Sequence, residues 1–88
     1  MLVRCSAAFA LVAHRQALGE QWALAYPPLE QRGREFFVRA SARVIDEAGI
    51  DRAQLAAALT TEAQGLGGAQ AIGGVMPACL DALASAGL

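Results

Sequence analysis

The sequence predicts an all-α protein: a compact, four-helix bundle-like single domain, and three observations carry that expectation. More than half of its 88 residues are apolar, with Ala dominant and every basic side chain an Arg. Ala, Leu, Gln, Glu and Arg lose little rotamer freedom in a helix, so this composition favours one. Strand-forming residues are scarce, with one Trp, one Tyr, three Phe and few Val or Ile. Finally, apolar residues recur at spacings of three and four between clusters of Pro and Gly.

The first helix is expected over about residues 2–25, where Pro27-Pro28 removes amide donors and restricts Tyr26. Residues Ala7–Ala13 are apolar all round, which a helix tolerates only when neighbours cover several faces. Leu11, Leu18 and Trp22 share one stripe, while Cys5, Phe9 and Val12 share an adjacent one. Three short partners struggle to cover both stripes, which motivates a homodimer with Leu11, Leu18 and Trp22 at its interface. A kink at Gly19, bringing both stripes onto one small core, is the other solution.

The second helix is expected over residues 28–48, with Pro28 at its start. Leu29, Gly33, Phe36, Phe37, Ala40, Val44 and Ala48 fall on its apolar face, and Arg and Glu residues gather opposite. Glu35–Arg39 and Arg43–Glu47 are spaced for pairing, as is Arg43–Asp46, which describes a solvated face better than a charged binding surface. Gly49 suits a left-handed helix end of the Schellman type with Ile50 folding back on Ile45. Asp51 and Gln54 have the spacing of a capping box for a third helix over residues 52–64, with Ile50 and Leu55 as its hydrophobic staple. The glycine-rich stretch Gly65–Gly74 reads as a flexible connection, with use as a hinge or lid the less economical reading. A fourth helix is expected over residues 75–85, with Pro77 in its first turn. Phe36, Phe37, Val44, Leu55, Leu59 and Leu83 are expected in the core.

The formal net charge is −1 and no basic patch stands out, so nucleic acid is not an expected partner. The longest apolar stretch, Ala7–Ala13, falls far short of the roughly 20 residues that span a bilayer. Met1-Leu2-Val3-Arg4 followed by that stretch superficially resembles a signal peptide, but ordinary first-helix sequence is the better reading. Leu2-Val3-Arg4-Cys5 does not make a lipobox, because Arg4 is not small.

Cys5 and Cys79 lie on apolar stripes of the first and last helices and meet if those helices pack side by side. A bridge would close a loop whose chain-entropy contribution is roughly 4.5 kcal/mol. The competing reading is two buried free thiols in a cytosolic protein. His14, the only histidine, lacks nearby partners for a zinc site or a Cys–His nucleophile and reads as a surface or boundary residue. No carboxylate pair stands inside an apolar stripe, and Gly65–Gly74 lacks the Lys-Ser/Thr of a phosphate loop. Tyr26-Pro27-Pro28-Leu29 is explained by a turn between helices without invoking a proline-rich ligand. The sequence thus offers no catalytic, cofactor-binding or metal-ligating residue, and no cofactor is expected.

The Arg4-Cys5 start, the Tyr26-Pro27-Pro28-Leu29 and Arg32-Gly33-Arg34-Glu35-Phe36-Phe37 stretches and the Met76-Pro77-Ala78-Cys79-Leu80 ending resemble small exported helical proteins of Gram-negative bacteria. That resemblance implies a periplasmic setting, with any signal peptide already removed, and a Cys5–Cys79 bridge. It implies no activity or ligand. The leading function class is a non-enzymatic periplasmic binding or protein-interaction domain with an unidentified protein partner. An acid- or stress-responsive periplasmic chaperone is a second class, although eight carboxylates and one histidine offer few proton-linked switches. A cytosolic helical adaptor with free thiols is a further alternative, and an enzyme, the third class, would need a concave site with convergent polar groups, of which the sequence shows none.

Overall fold

Left-handed glycines set two of this chain's turns, at Gly19 and Gly49. A computed structural model describes all 88 residues as five helices: α1 (Leu2–Ala17), α2 (Gln21–Leu24), α3 (Glu30–Ala48), α4 (Arg52–Gly65) and α5 (Ala69–Ser85). The class is all-α, as expected, but the helix predicted over residues 2–25 is broken in two. Gly19 takes φ +76°, its N–H bonds the Gln16 carbonyl at 3.0 Å and the Glu20 N–H bonds the Arg15 carbonyl at 3.1 Å. That is the Schellman pair. At Gly49 (φ +66°), where the sequence suggested this motif, only the N–H bond to the Ile45 carbonyl forms, so the simpler left-handed cap ends α3.

A side chain then holds the corner between α1 and α3. The Gln16 amide nitrogen reaches the carbonyls of Ala23 (3.0 Å), Tyr26 (3.3 Å) and Pro27 (2.9 Å), and its oxygen accepts from the Leu29 N–H at 3.1 Å. Gln16 thereby meets the Tyr26 and Pro27 carbonyls and the Leu29 N–H, and shares the Ala23 carbonyl with the Tyr26 N–H. With Leu29 held in this way, α3 begins at Glu30 rather than at Pro28. The next corner follows the expected chemistry. The Gln54 N–H donates to Asp51 Oδ1 at 2.8 Å and the Asp51 N–H donates to Gln54 Oε1 at 3.0 Å, a complete capping box at the start of α4.

The largest difference lies in the glycine-rich stretch. α5 starts at Ala69, so Gly73 and Gly74 are helical and Pro77 lies inside the helix, leaving no long flexible connection or lid. Ile72, Met76, Cys79 and Leu83 form one buried stripe along α5. Burying such side chains gives about 1.5–3 kcal/mol each, more than the roughly 1 kcal/mol that each helical glycine costs. Gly74 is exposed, and a Cβ there would meet nothing within 4 Å. Gly74→Ala should therefore raise stability by about 1 kcal/mol in urea unfolding. A loss of stability would show that this face is already occupied.

α1 is the central helix and packs against all four others. Cys5, Ser6, Ala7, Ala8, Phe9 and Val12 are buried, so most of the apolar segment is covered within one chain, while Ala10 stays exposed and Leu11 and Ala13 are half-buried. Its approach to α3 depends on Gly33, where a Cβ would lie 3.1 Å from Phe9 Cβ. Phe9 and Phe36 then meet edge to face, with ring centroids 5.1 Å apart. Cys5 and Cys79 are joined by a disulfide with Cα atoms 5.2 Å apart, tying the start of α1 to the latter half of α5.

Of the expected core residues, Phe36, Leu55 and Leu83 are buried, whereas Val44 and Leu59 are only half-buried. Phe37 is 38% exposed. For Phe37 the cause is the arc that faces the core: Leu29 at the cap of α3, then Gly33, Phe36 and Ala40, which leaves Phe37 at its edge. No helix is long and apolar enough to cross a membrane.

Candidate functional site

The edge that exposes Phe37 also opens a groove. One wall is the outward face of α3, on which Phe37, Val38, Ser41, Ala42 and Ile45 follow one another at helical spacing. The other wall is α1 over the first half of α3 and α4 over the second. Beside α1, a depression of about 340 Å³ is lined by Ser6, Phe9, Ala10, Ala13, Gly33 and Phe37, among others. Beside α4, one of about 460 Å³ is lined by the α3 residues with Leu55, Ala56 and Leu59. The two meet at Phe37.

Where α1, α3 and α4 converge, Val3, Ser6, Ala40, Val44, Leu55 and Leu59 close the floor. Ser6 does not present an open polar group there, because its hydroxyl donates to the Leu2 carbonyl at 2.9 Å. The floor is therefore mostly apolar, with Ser41 as a polar side chain near its middle. Charges stand only at the ends. Glu30 and Arg34 border the α1 end, 4.0 Å apart. Arg52 borders the α4 end and makes no ion pair within the chain. Beyond Glu30 a further depression of about 460 Å³ continues past Ala13 and Pro28 towards His14.

The residues that sequence reasoning placed at an interface do not form one exposed patch. Leu11 and Trp22 are half-buried and pack against the core, while Leu18 is 59% exposed at the end of α1. The break at Gly19 separates Trp22 from α1, which carries Leu11 and is capped by Leu18. The Trp22 indole N–H donates to Glu20 Oε1 at 3.2 Å, and Arg15 Nη1 donates to Glu20 Oε2 at 3.0 Å. The indole hydrogen bond, then the guanidinium, hold the Glu20 carboxyl below its ordinary range by favouring the charged form. This cluster stabilises the turn and lies outside the groove. The Arg–Glu pairs expected on α3 form at 3.6 Å for Glu35–Arg39 and 3.0 Å for Arg43–Glu47, both exposed; Arg43–Asp46 does not pair.

Sequence reasoning missed the groove because it assigned Phe37 to the core together with Phe36. The available signal was that Phe37, Val38, Ser41 and Ile45 make a second stripe beside the core-facing one. The arrangement can bury an apolar helix face, and it presents no convergent set of polar side chains on its floor. No group of three His, Cys, Asp or Glu side chains stands close enough to share a metal ion. Comparison with protein-family models, curated proteins and solved structures yields no match.

Proposed function

We propose that this chain is a non-enzymatic protein-interaction domain of the Gram-negative periplasm and that the groove beside α3 receives an amphipathic helix. The observation that carries the reading is the exposed Phe37 at the meeting point of two apolar depressions. From Glu30 to Ile45 the groove follows about 22 Å of helix axis, at 1.5 Å per residue. A partner helix of four turns has that length and can set anchors at i, i+3/i+4 and i+7 along it. Phe37 belongs to a residue class enriched at interfaces, and Val38 beside it is 60% exposed. The bridge between Cys5 and Cys79 supports an oxidising compartment, where such bonds persist.

A photo-reactive amino acid in place of Val38, activated in cells, tests the reading. A discrete protein adduct is expected, and it should disappear when Phe37→Glu is added. Failure to form any protein adduct, or an adduct indifferent to Phe37→Glu, would overturn the assignment of this groove.

A further inference from the structure

We infer that the Cys5–Cys79 bridge is a redox switch that locks α5, and that a dithiol reductant frees this helix from a folded body of α1, α3 and α4. α5 is poorly suited to hold its own conformation. Gly73, Gly74 and Pro77 all lie within it, and these are the residue types least favourable in a helix interior. Pro77 also has no amide to give the carbonyl one turn before it, at Gly73. The short link Leu66-Gly67-Gly68 joins α5 to α4, and α5 packs chiefly against α1 and α3. The rest of the molecule has packing of its own. Val3, Val44, Leu55 and Leu59 meet where α1, α3 and α4 converge, and Phe9 meets Phe36 edge to face.

The bridge sits where it controls that docking. Cys79 shares the buried stripe of α5 with Ile72, Met76 and Leu83, so α5 cannot leave α1 while its sulfur is bonded to Cys5. Both half-cystines are 1% exposed, so a reductant reaches them only when the end of α5 loosens. Two arginines of α3 restrain that end: Arg39 Nη1 donates to the Ala86 carbonyl at 2.8 Å, and Arg32 Nε donates to the Leu88 carbonyl. Exchange then takes two steps. A thiolate of the dithiol bonds one bridge sulfur and the other cysteine leaves as a thiolate; the second thiolate of the dithiol displaces the first cysteine and closes its own disulfide. The bridge gains two electrons and two protons, and the dithiol loses them. Release of α5 uncovers the side of α1 that carries Cys5, where helical spacing also places Ala8 and Val12, both fully buried in the bridged chain.

Amide hydrogen exchange on the full chain, first bridged and then held in dithiothreitol, tests the lock. In the bridged chain α5 should exchange no faster than α3. In the reduced chain α5 should exchange at least about tenfold faster than α3, as a helix that opens by itself does. Fast exchange of α5 with the bridge intact overturns the inference, as does one common rate for α5 and α3 after reduction. So does a bridge that dithiothreitol leaves closed below the unfolding transition. Thiol labelling of the reduced chain at low urea then reads the size of the opening. Its slope with urea should be about a third or less of that for global unfolding, because the slope scales with the surface exposed and α5 is 17 of the 88 residues. Gly74→Ala should slow this labelling about fivefold by favouring helical α5. Leu59→Ala, in α4, should lower the urea midpoint and leave labelling without urea unchanged. A slope equal to the global one, labelling indifferent to Gly74→Ala, or labelling that quickens in step with the stability lost in Leu59→Ala each overturns the inference.

Discussion

Replacing both half-cystines, as Cys5→Ala/Cys79→Ala, is expected to lower the melting temperature by about 20–25 °C. The two residues are 74 apart in sequence, so the bridge removes a large share of the unfolded chain's freedom. The chain-entropy relation puts this at about 4.5 kcal/mol. Net stability for a domain of this size is about 4–13 kcal/mol. An unfolding entropy of about 2.1 cal/mol/K per residue converts the loss into the stated shift. Both sulfurs are buried, and Ala leaves no unpaired polar group in their place. Thermal unfolding followed by circular dichroism measures the shift. A drop of less than about 5 °C would mean that the ends of α1 and α5 are held by packing and that the bridge adds little.

The second large effect is expected at Phe36. Its side chain is 4% exposed and meets Phe9 edge to face. Phe36→Ala should cost about 3–5 kcal/mol, combining lost transfer energy with the cavity left behind. Gly33 sharpens the expectation, because α1 and α3 already approach so closely at Phe9 that a Cβ at position 33 would crowd it. The helices therefore have little room to collapse into the void. Phe37→Ala is the matched comparison: the same chemistry one residue on, at a 38% exposed position, should cost about 1 kcal/mol. Denaturant unfolding of the two variants separates core from groove. Equal losses would mean that Phe37 is as much a part of the core as Phe36.

That pair also marks how far the candidate site was legible. A period of 3.6 tells which residues share a side of α3 but not how wide an arc its neighbours cover. Phe36 and Phe37 both fall within an apolar stripe, and only the positions of α1 and α4 decide that one is covered and the other borders a groove. Arg52 and Glu30 were equally unremarkable in sequence, since their standing at opposite ends of one groove depends on how α4 turns back along α3.

The all-α class, the extent of α4 with its capping box and the pairing of Cys5 with Cys79 were accessible from sequence because each rests on local chemistry or on a unique choice. Asp51 and Gln54 act within one turn, and two cysteines allow a single intramolecular bridge. Three features needed the tertiary structure. Of the two readings the sequence left open for the first helix, the break at Gly19 is the one that holds, because Gly19 adopts a left-handed conformation and Gln16 holds the chain beyond it, across 7 to 13 residues. α5 begins early because the buried stripe from Ile72 to Leu83 outweighs the helix cost of Gly73 and Gly74. The groove exists because Gly33 lets α1 close on one side of α3 while its outer face stays open. In each case a contact distant in sequence supplies free energy comparable to or larger than the local preference it overrides, about 1 kcal/mol per residue. Local preference therefore decided the kind of fold, and packing decided where its helices end and which face they leave open.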